Sequence, residues 1–448
     1  MKNEKNNLLT GPILPALMTF ALPILFSLLL QALYGAVDLW MVSRFSTNAD
    51  ISAVATGSQT MMIATGIVTG LAMGITVLLG QAMGEKNERQ SARIIGTSVW
   101  IFSALALVFL VVLLAFAPQL AAALNAPAAA YGKTVAYIRI CGAGVLFIVA
   151  FNVLNGIFCG LGDSKTPLLF VLVACVVNIA GDYVLIDLWG MGAAGAAIAT
   201  VLAQAVSVVL SLCMIRKKLP FAMCFQDMRF QGRLALQIVR LGSPIALQNM
   251  CNELSYLIII GLVNELGEVA SSGVGIAEKL VMFIMLIPTA YMSAISAFVA
   301  QNVGAQQLRR AKASMWNGMA TAACIGGVMA YLCFFHGNSM AHIFIDDPAV
   351  AAAAAEFLKA TAIECFLLSI TYCFTGYFNG VGKTGFVMAQ GLCAVILVRI
   401  PYAVYASRRP EPTLLNIGMS MAFAALFMLI VCGGYYFLRT RKEARIRA

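Results

Sequence analysis

Asp38 stands inside the mostly apolar stretch LLQALYGAVDLWMV, with Gln31 and Tyr34 on the same side of a helix. Asn178 and Asp182 lie four residues apart in another apolar run, a spacing that puts both on one helical face. Asn155 and Thr200 fall in the apolar runs on either side of that pair. An ionisable group at membrane depth costs at least about 2.5–3.5 kcal/mol on insertion scales, so each is a functional hypothesis by default. Two carboxylates with amide and hydroxyl oxygens suit a hard monovalent cation, with Asp38 and Asp182 as its charged ligands. The same pair equally suits a proton carrier, and polar residues pairing for packing is the plainer alternative. Further charges inside apolar runs are Glu253, Glu278, Glu364, Arg139, Lys279 and Arg399. Glu278 and Lys279 are adjacent and so point to different faces. Glu364, Arg139 and Arg399 are expected near helix ends, where their side chains can reach the interface.

The rest of the chain says what must position these groups. Of 448 residues, 61% are hydrophobic and 11% charged, against about 25% charged in an ordinary soluble protein. The mean hydropathy is +0.90. A soluble fold of this length could not cover itself with so few polar side chains, which excludes a soluble enzyme, a nucleic-acid module and a disordered chain. The net charge of +10 comes from short basic clusters between hydrophobic spans, so no nucleic-acid partner is expected. The polar start and the long first apolar stretch do not read as a cleavable signal peptide. The 12 cysteines are scattered without a CxxC pair and read as small hydrophobes. His336 and His342 read as loop residues. GVGKT at 380–384 has Tyr377 where a phosphate loop needs glycine, and neither GxSxG nor HExxH occurs. No enzymatic constellation and no cofactor are expected.

A membrane helix needs roughly 20 mostly apolar residues. Twelve such spans fit between the charge clusters: about 14–41, 51–80, 94–117, 132–160, 167–187, 191–215, 235–264, 270–302, 314–336, 355–380, 385–406 and 412–438. With the N-terminus inside, most of the 29 Lys and Arg fall on the cytoplasmic side, including Lys2 and Lys5. The outer loops hold only Arg44, Lys133, Lys359, Arg408 and Arg409, so both termini are expected in the cytoplasm. The chain also repeats. QAMGEKNERQSAR (81–93) matches QNVGAQQLRRAKA (301–313), Pro23 matches Pro244, and GIFCGLGDSKT (156–166) matches GYFNGVGKT (376–384). Six spans per copy make the repeats parallel, about an axis along the membrane normal. The expected division is an N-terminal lobe over 1–215, a cytoplasmic linker over 216–233 and a C-terminal lobe over 234–448, the linker reading as a solvated loop. Asp38 and Asp182 have near counterparts in Ile259 and Ile400, so the carboxylate pair is confined to the first lobe. Gly66, Gly70 and Gly74, like Gly156/Gly160 and Gly376/Gly380, are small-residue faces for close helix packing.

On the twelve-span parallel repeat, the Gln-x-x-Gly-x(4)-Arg pattern after spans two and eight, and GLGDSKTP followed by Asn178 and Asp182, the sequence resembles the multidrug and toxic compound extrusion (MATE) family over essentially its whole length. The resemblance implies an all-α membrane protein of two six-helix lobes forming a V, which exports organic, often cationic compounds against inward flow of Na⁺ or H⁺ by alternating access. It implies a cation-coupling site at Asp38, Asn155, Asn178, Asp182 and Thr200, a substrate cavity touched by Gln31, Tyr34, Glu253 and Glu278, and a bend of the first helix at Pro23. It makes a second-lobe ion site doubtful, since no helix-10 acid matches. The expected setting is the cytoplasmic (inner) membrane, with small organic cations or drugs and the lipid bilayer as partners and the chain acting as a monomer. A lipid-linked oligosaccharide flippase is the alternative. It would need basic residues to hold pyrophosphate, whereas acids outnumber bases within these spans.

Overall fold

A computed structural model describes residues 8–447; Lys2 and Lys5 of the charge argument lie outside the described residues. Among the described residues the chain is helical and contains no strand. The helices are α1 (Ile13–Phe45), α2 (Asn48–Gly84), α3 (Glu88–Ala115), the short α4 (Ala117–Ala123), α5 (Tyr131–Ala143), α6 (Val145–Leu161), α7 (Lys165–Asp182), α8 (Gly192–Lys218), α9 (Gly232–Asn264), α10 (Glu268–Gly304), α11 (Leu308–Ala341), α12 (Pro348–Gly380), α13 (Thr384–Cys393), α14 (Ile400–Ser407) and α15 (Leu414–Arg447). Wider π-helical turns, Tyr183–Leu188 and Ala394–Arg399, follow α7 and α13. Among the described residues eleven helical segments are long and apolar enough to cross a membrane, or twelve if α5 and α6, bent by 54° at their junction, count as one span. Side chains such as Leu107, Val108 and Val111 on α3 are exposed and apolar, as a lipid-facing surface requires.

The repeated motifs turn out to be helix stops. After α2, Lys86 N–H donates to the Met83 carbonyl and Asn87 N–H to that of Ala82. After α10, Gln306 and Gln307 donate to Val303 and Asn302 in the same way. The turn that ends α6 bonds Gly162 to Cys159 and Asp163 to Phe158; the one ending α12 bonds Gly382 to Asn379 and Lys383 to Phe378. All four are left-handed caps that satisfy the last helical carbonyls. Lys86 (φ 57°) and Gln306 (φ 59°) tolerate that conformation, while glycine supplies it at 162 (φ 86°) and 382 (φ 81°). GVGKT is therefore a C-cap. Gly382→Ala is expected to destabilise the protein by about 1–2 kcal/mol, the penalty of a left-handed L-residue, whereas Gln306→Gly should not; thermal unfolding in detergent measures both.

The chain divides into two compact units, Leu22–Ala246 and, so far as it is described, Met1–Ala21 with Leu247–Ala448. They break inside α1, two residues before Pro23, and inside α9, two residues after Pro244. We call them the N-terminal and C-terminal units. The core of the first gathers Ile75, Leu79, Ile94, Phe102, Ile138, Ile157 and Ile238. That of the second gathers Ile259, Val274, Phe357, Leu358, Ala403 and Ile417. Close helix approach uses the glycine faces: a Cβ on Gly74 would meet the Ile238 carbonyl oxygen at 2.5 Å, and one on Gly376 the Met292 oxygen at 2.6 Å, while one on Gly66 would meet nothing within 4 Å. At the chain start the Arg310 guanidinium donates to the carbonyls of Leu8, Thr10 and Gly11, fixing the turn that launches α1.

The linker is not merely solvated. The turn Phe225–Met228 docks on α3: Trp100 Nε1 donates to the Met228 carbonyl at 2.7 Å, Asp227 lies 3.9 Å from Arg93, and Gly96 leaves room for the Asp227 backbone. Glu364 also departs from expectation. It is the midpoint residue region of α12, well inside the helix, and only 9% exposed. The helix begins at Pro348, capped by Asp347, two turns before its continuous apolar stretch.

Candidate functional site

Asp38 is carried by α1, whose C-terminal half packs through Met41 and Val42 against Ala53, Val54, Tyr137, Ile186 and Ala196. Asn178 and Asp182 come from the last turns of α7, and Thr200 from α8, which packs along α7. Asp38 is 6% exposed; Asn178 and Asp182 are fully buried. The structure brings Asp38, Asn178, Asp182 and Thr200 together. Thr200 Oγ1 donates to Asp38 Oδ2 at 3.4 Å. The other Asp38 oxygen, both Asp182 oxygens, and both the oxygen and nitrogen of Asn178 are buried with no hydrogen-bond partner. Buried polar atoms are nearly always satisfied, so a cluster of orphans in one place calls for a specific explanation. Among the described residues neither carboxylate forms an ion pair. Asp182 is the last residue before the π turn Tyr183–Leu188, and such turns recur at functional positions in helices.

Tyr34, one turn before Asp38, is within its electrostatic reach, and its hydroxyl accepts from Gln204 Nε2 at 3.5 Å. Gln31 bonds back to the Ser27 carbonyl on its own helix. Asn155 does not join the group: its oxygen accepts from Cys159 Sγ one turn along α6, at 3.8 Å. Sequence reading missed Tyr137 and Gln204. Tyr137 reaches the neighbourhood of Asp38 from α5, filling space that Gly57 leaves open. Its position in the sequence, six residues after a loop, carries no signal of this. Pro23 lies within an unbroken α1, and the carbonyl it contributes accepts from Ser27 Oγ at 2.9 Å.

The C-terminal unit holds a second group. Glu253 on α9 is exposed and Glu278 on α10 half-buried, with the Tyr256 hydroxyl within electrostatic reach of the Glu278 carboxylate. Arg399 closes the π turn after α13, and its Nη1 donates to Ser255 Oγ at 3.1 Å. Glu253 and Glu364 are both within electrostatic reach of that guanidinium. Arg399 is thus held inside the unit by a hydrogen bond rather than reaching for a helix end.

A family model, MatE, matches residues 23–184 and again residues 244–405, the two copies of the repeat. The probable multidrug resistance protein YoeA of Bacillus subtilis (strain 168) is 25% identical over 95% of this chain and 94% of its own length. The multidrug export protein MepA of Staphylococcus aureus (strain NCTC 8325 / PS 47) is 25% identical over 96% of this chain and 95% of its own. The crystal structure of MATE in the straight conformation superposes with a TM-score of 0.91 at 18% identity, covering 100% of both chains. With the helical fold, the doubled family match and the whole-length relatives in agreement, the chain belongs to the MatE family.

Proposed function

We propose that the protein is a secondary active exporter of organic, chiefly cationic, compounds, driven by antiport of Na⁺ or H⁺ through Asp38 and Asp182. The observation that carries this reading is the set of orphaned buried oxygens on Asp38, Asp182 and Asn178. Two buried carboxylates close together repel unless a proton or cation sits with them. The donors are carboxylate, amide and hydroxyl oxygens, which suit a hard ion such as Na⁺. Asp38 and Asp182 would be its charged ligands, with Asn178 and Thr200 the neutral ones; Asn155 would have to turn from Cys159 to join. The names of YoeA and MepA support drugs as cargo. Within the N-terminal unit Gln31 and Tyr34, and within the C-terminal unit exposed Glu253 and half-buried Glu278, would each offer polar groups to cargo. Bending of α1 near Pro23 would couple ion occupancy to cargo release. Purified protein in proteoliposomes, given a Na⁺ gradient alone and then a pH gradient alone, tests the reading: cationic-dye export under one of them is expected, and export under neither overturns it.

We further place the protein in the cytoplasmic membrane with both termini and the 216–233 linker inside, on the strength of the Lys and Arg distribution. Gln226 is exposed on the docked linker turn. In a background without reactive cysteines, Gln226→Cys should resist a membrane-impermeant maleimide added to whole cells and react once the cells are opened. Labelling from outside would reverse the topology.

A further inference from the structure

Three helix ends of the N-terminal unit meet at one carboxylate. Asp50, in the first turn of α2, is 5% exposed. Its Oδ2 accepts from Lys133 Nζ of α5 at 2.6 Å and from the Thr47 N–H at 3.2 Å; its Oδ1 accepts from the N–H of Ala193 on α8 at 3.1 Å. Lys133 Nζ also donates to Thr47 Oγ1 at 3.1 Å. Gly192, at φ 56°, permits the approach, since a Cβ there would meet Asp50 Oδ1 at 2.5 Å. Charge-assisted bonds of this kind hold their partners in one geometry, so the ion pair ties α2, α5 and α8 together. A cavity of about 280 Å³ lies beside it, bordered by both side chains and by Ala136, Gly190, Gly192 and Ala194.

Each tied helix leads from this pair to the Asp38 group along one face. Lys133 and Tyr137 are four apart on α5; Asp50 and Gly57, which admits the Tyr137 ring, are seven apart on α2; Ala193 and Thr200 are seven apart on α8. Such spacings keep each couple on one side of its helix, about 6–11 Å apart along the axis. Between the two levels sits an apolar layer of Met41 and Val42 from α1, Ala53 and Val54 from α2, and Ala196 and Ala197 from α8, each at most 5% exposed. An ion cannot cross such a layer without surrendering its hydration. Beyond it lie the orphaned oxygens of Asp38, Asp182 and Asn178.

We propose that Asp50 and Lys133 form a gate between this cavity and the Asp38 group, and that a monovalent cation reaches Asp38 along the shared faces of α2, α5 and α8 when the ion pair parts. The proposal deepens the coupling-ion reading and rests on it for the nature of the ion; in the topology proposed above, the gate faces outward. Closed, the pair holds α5 against α2 and α8 and keeps the apolar layer shut. Parted, it frees the Asp50 carboxylate to draw in a cation, while the Lys133 side chain, already 44% exposed, turns to solvent.

Cys141, one turn past Tyr137 on α5 and 1% exposed, packs with that layer and reads the gate without any transport. Purified full-length protein is treated with a methanethiosulfonate carrying a trimethylammonium group, and separately with one carrying a sulfonate. The thiolate displaces methanesulfinate to give a mixed disulfide, and mass spectrometry follows each cysteine. In wild type, exposed Cys224 should react and Cys141 should not. Lys133→Met leaves Asp50 bonded to Thr47 and Ala193, and removes a charge-assisted bond, so it should speed cationic modification of Cys141 by about tenfold or more. The anionic reagent should gain less, and adding Asp38→Asn should erase the difference. Lys133→Arg should stay protected. If Lys133→Met cannot be purified, Asp50→Asn tests the same gate. Cys159, in the last turns of α6 near the other end of the unit, should react no faster in any variant. Continued protection of Cys141, equal gain with the two reagents, or a parallel gain at Cys159 overturns the proposal. The labelling needs no ion gradient, so failure of the gate and failure of the coupling reading are separate results.

Discussion

Asp38→Asn and Asp182→Asn are each expected to abolish gradient-driven export while leaving the protein folded and able to bind cargo. The fold should survive because neither carboxylate forms an ion pair among the described residues, and most of their oxygens are orphaned. Neutralising one of two buried, mutually repelling carboxylates removes a penalty, so the unfolding midpoint should hold or rise. Transport should fail because the amide withdraws a charged ligand. Interactions with a charged group are worth about 1.5–3 kcal/mol each, on the order of ten- to a hundredfold in ion affinity. An ion can bias a conformational equilibrium only by its differential affinity for the two states, so a site that no longer binds it no longer drives anything. Thr200→Val, which deletes only the 3.4 Å donation to Asp38, should slow export without abolishing it. Asn155→Ala should be milder still, since the Asn155 oxygen is turned to Cys159. Uphill dye export in proteoliposomes, with binding of the same dye by fluorescence polarisation, separates coupling from cargo recognition. Uphill export retained by either aspartate variant would move the coupling site elsewhere.

The grouping of Asn178 with Asp182 was legible because helical geometry is local. Four residues between Asn178 and Asp182 put both on one face whatever the tertiary structure, and a carboxylate within an apolar run announces itself. Tyr137 and Gln204 were not legible, since nothing within α5 or α8 tells which face meets Asp38; that is decided where Gly57 makes room for the Tyr137 ring. Glu364 was misplaced for a related reason. Reading α12 from its apolar stretch starts it near 355, but Asp347 and Pro348 nucleate it earlier, and a run of alanines carries the helix inward. That shift moves Glu364 from a helix end to mid-helix burial. The linker misled in the opposite sense: its basic composition reads as solvated, while one indole donor, Trp100, docks it. The ends of the two compact units fall inside α1 and α9, where only Pro23 and Pro244 mark the hydrophobic pattern.

The glycines that looked alike by spacing should separate sharply on substitution. A Cβ at Gly376 would lie 2.6 Å from the Met292 carbonyl oxygen, and one at Gly380 2.6 Å from that of Ser296. Both obstacles are backbone atoms of α10, held in a helix that packs along α12, so no side-chain rotation relieves the overlap. The two helices must separate, and every interdigitated contact along them loosens, because dispersion falls off within a fraction of an ångström. Overpacking a well-filled interior typically costs about 1–3 kcal/mol and sometimes more. Gly376→Ala is expected at the upper end of that range, and Gly376→Leu should leave no folded protein to extract. Gly275 on α10 and Gly433 on α15 are the controls, since a Cβ there would meet nothing within 4 Å. Ala at either should be neutral or stabilise by up to about 1 kcal/mol, the helix-propensity difference. Thermal unfolding and extraction yield across the four substitutions measure the contrast. Equal tolerance at Gly376 and Gly275 would mean that α10 and α12 do not pack backbone against backbone, and that the repeated glycine pair there serves motion rather than contact.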